Sequence, residues 1–462
     1  MLIQSLIRSS LIKFKFFFFI SLLISQEIPN EFYEFSESKI LSDNGYNWKK
    51  NTTFGPVRYE NKNITNDSLR IHTKFGSLLT NRSKCLFGYG HFTYKKYFHG
   101  YLYPRIVTNP DLIQRYSGIP RDISRGGFNS GETDISGITY QKDWMTFQFG
   151  RGRQSWGAGN DIQLAISEES PSYDYGLIDL NFSNLRVRYF HGFLESDTLQ
   201  INRYINGRGI EWKNNKNLLI GISEIAIYSG PNRNIDFAYI NPITTHLEIE
   251  LNKRQNFEGT DKGNGVWQIS IDYLTRQKSR ISFNYMFDEI TLDKSQRDTG
   301  KEKFNGFSFK VVKPLIRNVN HLLSLYCTSI MVGKNTFRHE DGNNNFVQRN
   351  KPLGHPMGSH FNMLNFGINS FFLQKLLSTI EIGIRDKGLN TILMDPYNAY
   401  DFSEEKNSYE NKLIYLNFNL DYWYRKNMSI FLKNVYIHQN NKYKSFESTL
   451  GINIIFETLK TI

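Results

Sequence analysis

Three stretches of the sequence combine arginine and asparagine with glycine, aromatic residues or both, at a density that could support ligand chemistry. The first, residues 150–161 (GRGRQSWGAGND), contains Arg151, Arg153, Trp156 and Asn160. An arginine can bind a carboxylate through two parallel hydrogen bonds, and an indole offers a broad apolar face that covers a sugar ring. This stretch could therefore hold an anionic sugar. The alternative interpretation is a polar network that braces the interior of the protein.

Two further stretches also contain arginine and asparagine, together with either aromatic residues or glycine. Residues 231–242 read PNRNIDFAYINP, and residues 349–358 read RNKPLGHPMG. Their candidate binding groups are polar or aromatic side chains: Arg233, Asp236, Tyr239, Asn241 and His355. Arginine and aspartate three positions apart are close enough to pair, and asparagine amides both donate and accept hydrogen bonds. A loop that folds onto the rest of the protein explains the same residues without a ligand, so both interpretations stay open.

Signatures of catalysis are scarce in this chain. The sequence has no HExxH zinc motif, no GxSxG nucleophile elbow, no P-loop, no GxGxxG and no CxxC. Its two cysteines, Cys85 and Cys327, are expected to be free thiols. We therefore predict a protein that is not an enzyme, with no catalytic residues, no cofactor and no metal site. An outer-membrane hydrolase whose site is assembled from distant strands is the third hypothesis.

The elements that must position these stretches are strands, because the dominant sequence pattern has a period of two. Trp267, Ile269 and Ile271 alternate with polar residues, and Phe283 and Tyr285 continue the pattern in the next run. We count about 16–18 candidate strands of roughly 9–11 residues, the length that a tilted strand needs to cross a bilayer. The sequence predicts an all-β fold, a transmembrane antiparallel β-barrel of about 16–18 strands with long loops.

A soluble β-sandwich would show the same alternation, so the membrane location depends on other features. Aromatic residues near strand ends, such as Tyr97 and Trp423, suit the girdles of a membrane barrel. The apolar alternation of residues 450–456 is similar to the last strand of bacterial outer-membrane barrels, although six residues (ETLKTI) follow it. We predict the bacterial outer membrane as the location.

The N-terminus predicts export. Three basic residues precede the apolar run FFFFISLLI, which is too short to span a bilayer as a helix. We divide the chain into a signal peptide (residues 1–25), an irregular lead-in that is either periplasmic or a plug (residues 26–66), and the barrel (residues 67–462).

Together and in this order, the three stretches resemble the capsule-assembly (Wzi-type) family of bacterial outer-membrane proteins. The resemblance rests on the GRxRxxWGxG-like stretch at Gly150, the NRxIDxxYxNP-like stretch at Asn232 and the PLGHPxG stretch at Pro352. It covers roughly residues 150–361. It implies a barrel of about 18 strands that binds capsular polysaccharide as a surface lectin, helps to attach the capsule and carries no catalytic site.

The charge balance agrees with anionic partners. With 56 basic and 44 acidic side chains, the chain carries a net charge of +12. In an exported protein this excess fits surface polysaccharide and lipopolysaccharide, and we expect no nucleic acid partner. We predict a non-enzymatic outer-membrane barrel that binds capsular or extracellular polysaccharide, with outer-membrane lipid and the barrel-assembly machinery as further partners. The alternative is a porin or channel for small solutes, because a large barrel holds an aqueous lumen unless loops plug it.

Overall fold

The described part of the chain covers the strands and most of their connections. This computed structural model describes residues 22–46, 48–56, 58–61, 69–214, 216–256, 263–289, 304–318, 320–388, 392–393, 411–439 and 443–461. The predicted signal peptide lies outside the described residues, except for its last four positions. Among the described residues, no helix has the length and apolar character needed to cross a membrane.

Eighteen antiparallel strands close into one barrel. We number them in chain order as β1 Leu69–Thr80, β2 Lys84–Tyr94, β3 Phe98–Val107, β4 Ser130–Gln141, β5 Met145–Gly152, β6 Tyr173–Phe182, β7 Leu185–Ser196, β8 Ile201–Lys213, β9 Leu218–Pro231, β10 Gly263–Leu274, β11 Arg280–Glu289, β12 Phe304–Asn318, β13 His321–Val332, β14 Phe361–Phe372, β15 Leu376–Lys387, β16 Asn411–Arg425, β17 Met428–Gln439 and β18 Tyr443–Thr461. The predicted all-β barrel is confirmed, at the upper end of the predicted number of strands.

In the described chain, shorter elements precede the first barrel strand or lie in the connections between barrel strands. The helices are α1 Tyr33–Asp43, α2 Phe237–Ile240 and α3 His246–Leu251, and the 3₁₀ turns are Trp48–Lys50, Pro110–Leu112 and Gly342–Asn344. Three two-stranded sheets are separate from the barrel sheet. They join Leu22–Glu27 to Arg58–Asn61, Phe54–Gly55 to Ser155–Trp156, and Val347–Gln348 to Lys351–Pro352.

The two faces of the strands differ as the alternation predicts. Outward positions keep large apolar side chains exposed, among them Phe75, Phe149 and Phe456. Inward positions carry buried charged groups, such as Asp272 and Arg280, whose side chains pair at 2.7 Å. The apolar face therefore meets lipid, and the polar face lines the lumen.

The barrel closes between its last and first strands. Gly451 pairs with Thr80 at one end of this ladder, and Thr461 pairs with Arg70 at the other. The residues after Phe456, which depart from the usual end of a terminal strand, therefore continue β18. They form strand because β1 begins as early as Leu69 and offers backbone partners for them.

Connection lengths distinguish the two rims of the barrel. At one rim, the connections after β2, β4, β6, β8, β10, β12, β14 and β16 span two to five residues. At the other rim lie the long connections 108–129, 153–172, 232–262 and 333–360. Short turns face the periplasm and long loops face outward in bacterial barrels, so we assign the second rim to the extracellular side.

Residues 27–46 and 48–56 lie inside the barrel. The ring of Phe32 packs 5.2 Å from Tyr89 of β2, whereas the ring of Tyr33 packs 5.4 Å from Trp423 of β16. The connections 153–172 and 333–360 also fold inward, and they share an apolar core with the inward faces of the surrounding strands. We call residues 27–46 and 48–56 the lumen segment. The helix α1 within it was not predicted from the sequence.

Candidate functional site

Arg153, the first residue after β5, lies in a buried ion network. Its Nη1 donates to Glu27 Oε1 at 2.5 Å, and its Nη2 donates to Asp134 of β4. Its Nε donates to the backbone oxygen of Ser170 at 3.0 Å. Arg153 is only 1% exposed, so its charge depends on these partners rather than on water. It joins the lumen segment, β4 and its own loop.

Trp156 is enclosed by protein. Its indole lies 4.8 Å from the ring of Phe54 and 5.2 Å from the ring of Phe190 on β7. Its Nε1 donates to Gln154 Oε1 at 3.4 Å. The indole belongs to the apolar core of the lumen, and in this structure it offers no open face to a sugar.

Asn160 contributes to a joint between the lumen segment and the barrel wall. Its side-chain Nδ2 donates to Asp43 Oδ1 at 2.8 Å, at the end of α1. Lys310 of β12 completes the joint, because its Nζ lies 2.9 Å from Asp43 Oδ2 and donates to the backbone oxygen of Asn160 at 3.1 Å. The joint fixes α1 to one side of the lumen.

The third stretch docks on residues 164–167, which follow the first stretch in the same connection, inside the barrel. The backbone nitrogen of His355 donates to the oxygen of Leu164 at 3.1 Å, and Ser167 Oγ donates to the oxygen of Gly354 at 2.6 Å. A Cβ on Gly354 would lie 1.8 Å from the carbonyl oxygen of Leu164, so only glycine permits this approach. The structure therefore brings the connection that contains the first stretch together with the third stretch, although Ser167 and Gly354 are 187 positions apart.

His355 is an interior residue of this docked pair of loops. Its ring stacks on Phe361 with centroids 4.9 Å apart, and its Nδ1 accepts a hydrogen bond from the backbone of Met357 at 3.3 Å. Burial lowers the pKa of His355 to about 3, because desolvation disfavours the charged imidazolium. At neutral pH His355 is therefore uncharged and cannot supply a cation for an anionic ligand.

The second stretch lies elsewhere, on the outer face of the barrel wall. Arg233 pairs with Asp236 at 3.1 Å, as their spacing predicts, and both side chains are buried. Tyr239 stacks on a tyrosine ring of β9 at 4.3 Å, whereas Asn241 is exposed. We call residues 232–256, which contain this stretch, the outer-wall cover. The structure does not bring it together with the other two stretches.

Arg151 occupies the extracellular end of β5. Its Nε donates to the backbone oxygen of Thr133 at 3.0 Å, and its Nη1 lies 3.2 Å from Asp174 of β6. The side chain keeps 17% of its surface exposed. Of the predicted site residues in the first stretch, Arg151 is thus the one whose guanidinium lies at the rim and is partly accessible to solvent.

Two cations near Arg151 were missed by sequence reasoning. Arg349 is the first residue of a two-residue hairpin turn, and Lys351 directly follows the turn. Arg349 and Asn350 have φ values of 48° and 58°, as a type I′ turn requires. Arg349 Nη1 donates to the oxygen of Ser117 at 2.7 Å, and Lys351 Nζ donates to that of Tyr116 at 2.9 Å. The side chain of Lys351 is exposed, and that of Arg349 is partly exposed. The letters RNK at the head of the third stretch were the available signal.

Arg151, Arg349 and Lys351 form one basic area at the extracellular rim, and we call them the rim cations. Arg151 Nη2 donates to the backbone oxygen of Ser172 at 3.0 Å, and Nε2 of Gln348, the residue before Arg349, donates to the same oxygen at 3.3 Å, so Arg349 lies beside Arg151. Cations with open donors can bind carboxylate or phosphate groups of a ligand that arrives from outside the cell. Within the described chain, no three or more His, Cys, Asp or Glu residues are grouped so that they could hold a metal ion.

Comparison with known proteins supports the fold. No protein-family model and no curated protein matches the sequence. Wzi of Escherichia coli, an outer-membrane protein involved in group 1 capsule assembly and described as a carbohydrate-binding β-barrel, matches with a TM-score of 0.57 and 11% identity over 84% of each chain. The chain thus has the fold of an outer-membrane barrel, and the outer membrane is its location.

Barrels of another kind also match the chain. OccAB4 of Acinetobacter baumannii matches with a TM-score of 0.48 and 9% identity, over 85% of this chain and 99% of that one. OprD of Pseudomonas aeruginosa matches with a TM-score of 0.43 and 8% identity, over 86% of this chain and 95% of that one. At such low identities these likenesses concern the fold and leave the function to be argued from the site.

Proposed function

We propose that this protein is a non-enzymatic outer-membrane barrel that binds anionic capsular or extracellular polysaccharide at the cell surface. The rim cations are the groups that we assign to binding; Lys351 is exposed and Arg349 is partly exposed. The predicted site residues inside the lumen and in the outer-wall cover then serve to hold the loops and the lumen segment in place.

The observation that carries this proposal is the filled lumen beside β5 to β14. The inward faces there pack against the lumen segment and the connections 153–172 and 333–360, in a core that includes Trp156, Leu164 and Leu353. Native protein cores leave few voids as large as a water molecule. A polysaccharide chain therefore has no path through this part of the barrel, and its accessible partners are on the extracellular surface.

Two further observations support polysaccharide as the ligand. Wzi, whose fold is similar, is a carbohydrate-binding barrel, and the three sequence stretches resemble those of the capsule-assembly family. The net charge of +12 favours an anionic polymer.

Binding of polysaccharide to the purified, detergent-folded protein tests this proposal. We expect the double variant Arg349→Gln, Lys351→Gln to bind the extracted surface polysaccharide of the host about threefold to tenfold more weakly, because each exposed ion pair contributes up to about 1 kcal/mol. The effect should diminish with salt, since exposed charges are screened. Titration by calorimetry or by a biosensor measures the affinity.

A matched control removes two cations at the opposite rim. Arg276 and Lys278 are exposed in the short connection after β10, on the periplasmic side. The variant Arg276→Gln, Lys278→Gln carries the same net charge as the test variant and should bind like the unmodified protein. Equal weakening in both variants would show that binding depends on net charge alone and would contradict a site at the extracellular rim.

A second candidate function is passage of small solutes, and one observation favours it. Beside β15 to β17 the inward-facing side chains are less buried than elsewhere: Glu381, Asn417 and Asn419 are partly exposed, and Lys433 is exposed. Glu381 accepts hydrogen bonds from Tyr326 at 2.8 Å and from Tyr415 at 3.0 Å. Water therefore reaches this side of the lumen, which could form a narrow polar passage.

Conductance in a planar lipid bilayer tests the passage. If the polar side of the lumen conducts, we expect small, stable channels, and Lys433→Glu should shift their ion selectivity towards cations because it reverses a charge on the wall. Lys95→Glu, at an exposed position in the turn after β2, is a control that should leave selectivity unchanged. Electrically silent protein would exclude the passage and leave polysaccharide binding as the proposed function.

A further inference from the structure

Part of the outer wall carries charged residues where lipid-facing side chains are expected. On β8, Arg208 shares its strand face with Ile210 and Trp212, which are exposed on the outside of the barrel. On β9, Glu224 shares its face with Ile222, which is also exposed. Arg208 Nε and Glu224 Oε2 lie 3.2 Å apart. A charged pair at the lipid-facing surface is unfavourable unless it is covered.

The outer-wall cover shields this pair. The backbone nitrogen of His246 donates to Glu224 Oε1 at 3.0 Å, and Arg208 Nη1 donates to the backbone oxygen of Asn241 at 3.3 Å. A Cβ on Gly265 of β10 would lie 2.2 Å from the ring of His246, so glycine leaves room for the cover to lie flat on the wall. The connection after β9 thus turns back along the outside of the barrel.

The outer surface of the cover is apolar. Phe237, Ile243 and Leu251 are 86%, 85% and 72% exposed. They extend the lipid-facing surface over a region where the wall itself is polar. Large exposed apolar side chains mark a surface that meets a membrane or another protein. Because the chain is located in the outer membrane and the cover lies outside the barrel, the adjoining medium is the outer leaflet.

Two cations lie beside this apolar surface, near the extracellular end of β9. Asn256 Nδ2 donates to the backbone oxygens of Asn234 at 3.3 Å and Ile235 at 3.2 Å. These bonds hold the end of the cover next to its beginning, at the extracellular rim. Lys253 and Arg254 lie near this end of the cover and are exposed. Arg254 also pairs with a glutamate of α3 at 2.7 Å, but its side chain keeps 43% of its surface exposed. The cations therefore lie at the level where phosphate groups of outer-leaflet lipids are expected.

We propose that the outer-wall cover is a binding site for lipopolysaccharide, the phosphorylated glycolipid of the outer leaflet. Its acyl chains lie against Phe237, Ile243 and Leu251, and its phosphate groups are bound by Lys253 and Arg254. The site is separate from the rim cations and does not depend on polysaccharide binding. It gives the second sequence stretch a function on the outside of the barrel.

Binding of a defined rough lipopolysaccharide to the purified full-length protein tests the site. Native mass spectrometry of the detergent-solubilised protein measures bound lipid, and the same lipid without its phosphates is the comparison. We expect Lys253→Gln, Arg254→Gln to weaken binding of the phosphorylated lipid about tenfold, because a cation near a membrane surface attracts anionic lipid. Binding of the dephosphorylated lipid should be unchanged. Equal binding of the phosphorylated lipid by the variant and the unmodified protein would overturn the assignment of Lys253 and Arg254.

The apolar part of the site is tested with a control on another strand. Phe237→Ser, Ile243→Ser, Leu251→Ser should weaken binding of both lipids, whereas Phe446→Ser, Leu450→Ser, at exposed positions on the outer face of β18, should weaken neither. An equal loss of lipid binding in both variants would mean that lipid contacts the whole barrel surface, and it would overturn the assignment of a site to the cover. A change from dimer to monomer on substitution of the cover would also overturn it, because a second copy of the chain would then be the occupant.

Labelling on intact cells provides a test that does not depend on lipid affinity. Ile243→Cys should resist a membrane-impermeant maleimide on cells and react after detergent extraction. Leu199→Cys, in the short extracellular connection between β7 and β8, should react on cells. The unmodified protein, whose Cys85 is buried, gives the background. Labelling of Ile243→Cys on cells at the rate of Leu199→Cys would place the cover in water and overturn the proposal.

Discussion

Replacement of Arg153 by methionine is expected to lower the free energy of unfolding by about 3–5 kcal/mol, since removal of one partner leaves buried charges without compensation. The carboxylates of Glu27 and Asp134 would both lose a hydrogen-bonded cation. Methionine keeps most of the side-chain volume, so the expected loss is electrostatic rather than a packing defect. Urea unfolding of the detergent-folded barrel, followed by tryptophan fluorescence, measures the change.

The exposed pair between Arg82 and Glu447 provides the control. Their side chains lie 3.2 Å apart but keep 40% and 58% of their surfaces exposed. Because water solvates both charges, Arg82→Met should cost less than about 1 kcal/mol. A similar loss of stability in the two variants would contradict the view that the Arg153 network braces the lumen.

Replacement of Trp156 by alanine is expected to destabilise the protein by about 3–5 kcal/mol, the range for truncation of a large buried aromatic side chain. The indole fills a space between Phe54 and Phe190, and alanine would leave a cavity in that core. Trp156→Phe should recover part of the loss because it refills part of the volume. Thermal unfolding monitored by circular dichroism measures all three proteins.

The same variant distinguishes the two interpretations of the first stretch. If Trp156 is a core residue, the folded fraction of Trp156→Ala should bind polysaccharide with unchanged affinity. Trp144→Ala, which truncates a half-exposed tryptophan at the periplasmic rim, should change stability far less. Full stability of Trp156→Ala together with lost binding would show that the indole contacts the ligand.

The barrel was predictable because strands leave a repeated local signal. Each strand that crosses the membrane must alternate apolar and polar residues, so the pattern of Trp267, Ile269 and Ile271 recurs around the ring. The helix α1 leaves no comparable signal. Its buried residues include Tyr33, Phe35 and Ile40, and no side chain caps its N-terminus. It is stabilised by contacts with distant strands, which a local pattern does not contain.

The site was predictable in composition but not in arrangement. Three stretches looked alike because each combines arginine and asparagine with glycine, aromatic residues or both. Where they lie depends on how long connections fold, and this placed Trp156 in the lumen and Tyr239 on the outer wall. Arg349 and Lys351 were overlooked because isolated cations at a turn follow no period. Their role at the rim depends on the neighbouring loop that holds them.

The position of Glu31 has a consequence for the order in which the molecule assembles. Its carboxylate accepts a hydrogen bond from Tyr103 of β3 at 2.7 Å, and its backbone oxygen accepts one from Asn453 of β18 at 2.5 Å. The lumen segment thus contacts strands on both sides of the β1–β18 seam. Closure of that seam and enclosure of the lumen segment are therefore coupled. The barrel does not have to close around an empty lumen before the segment enters it.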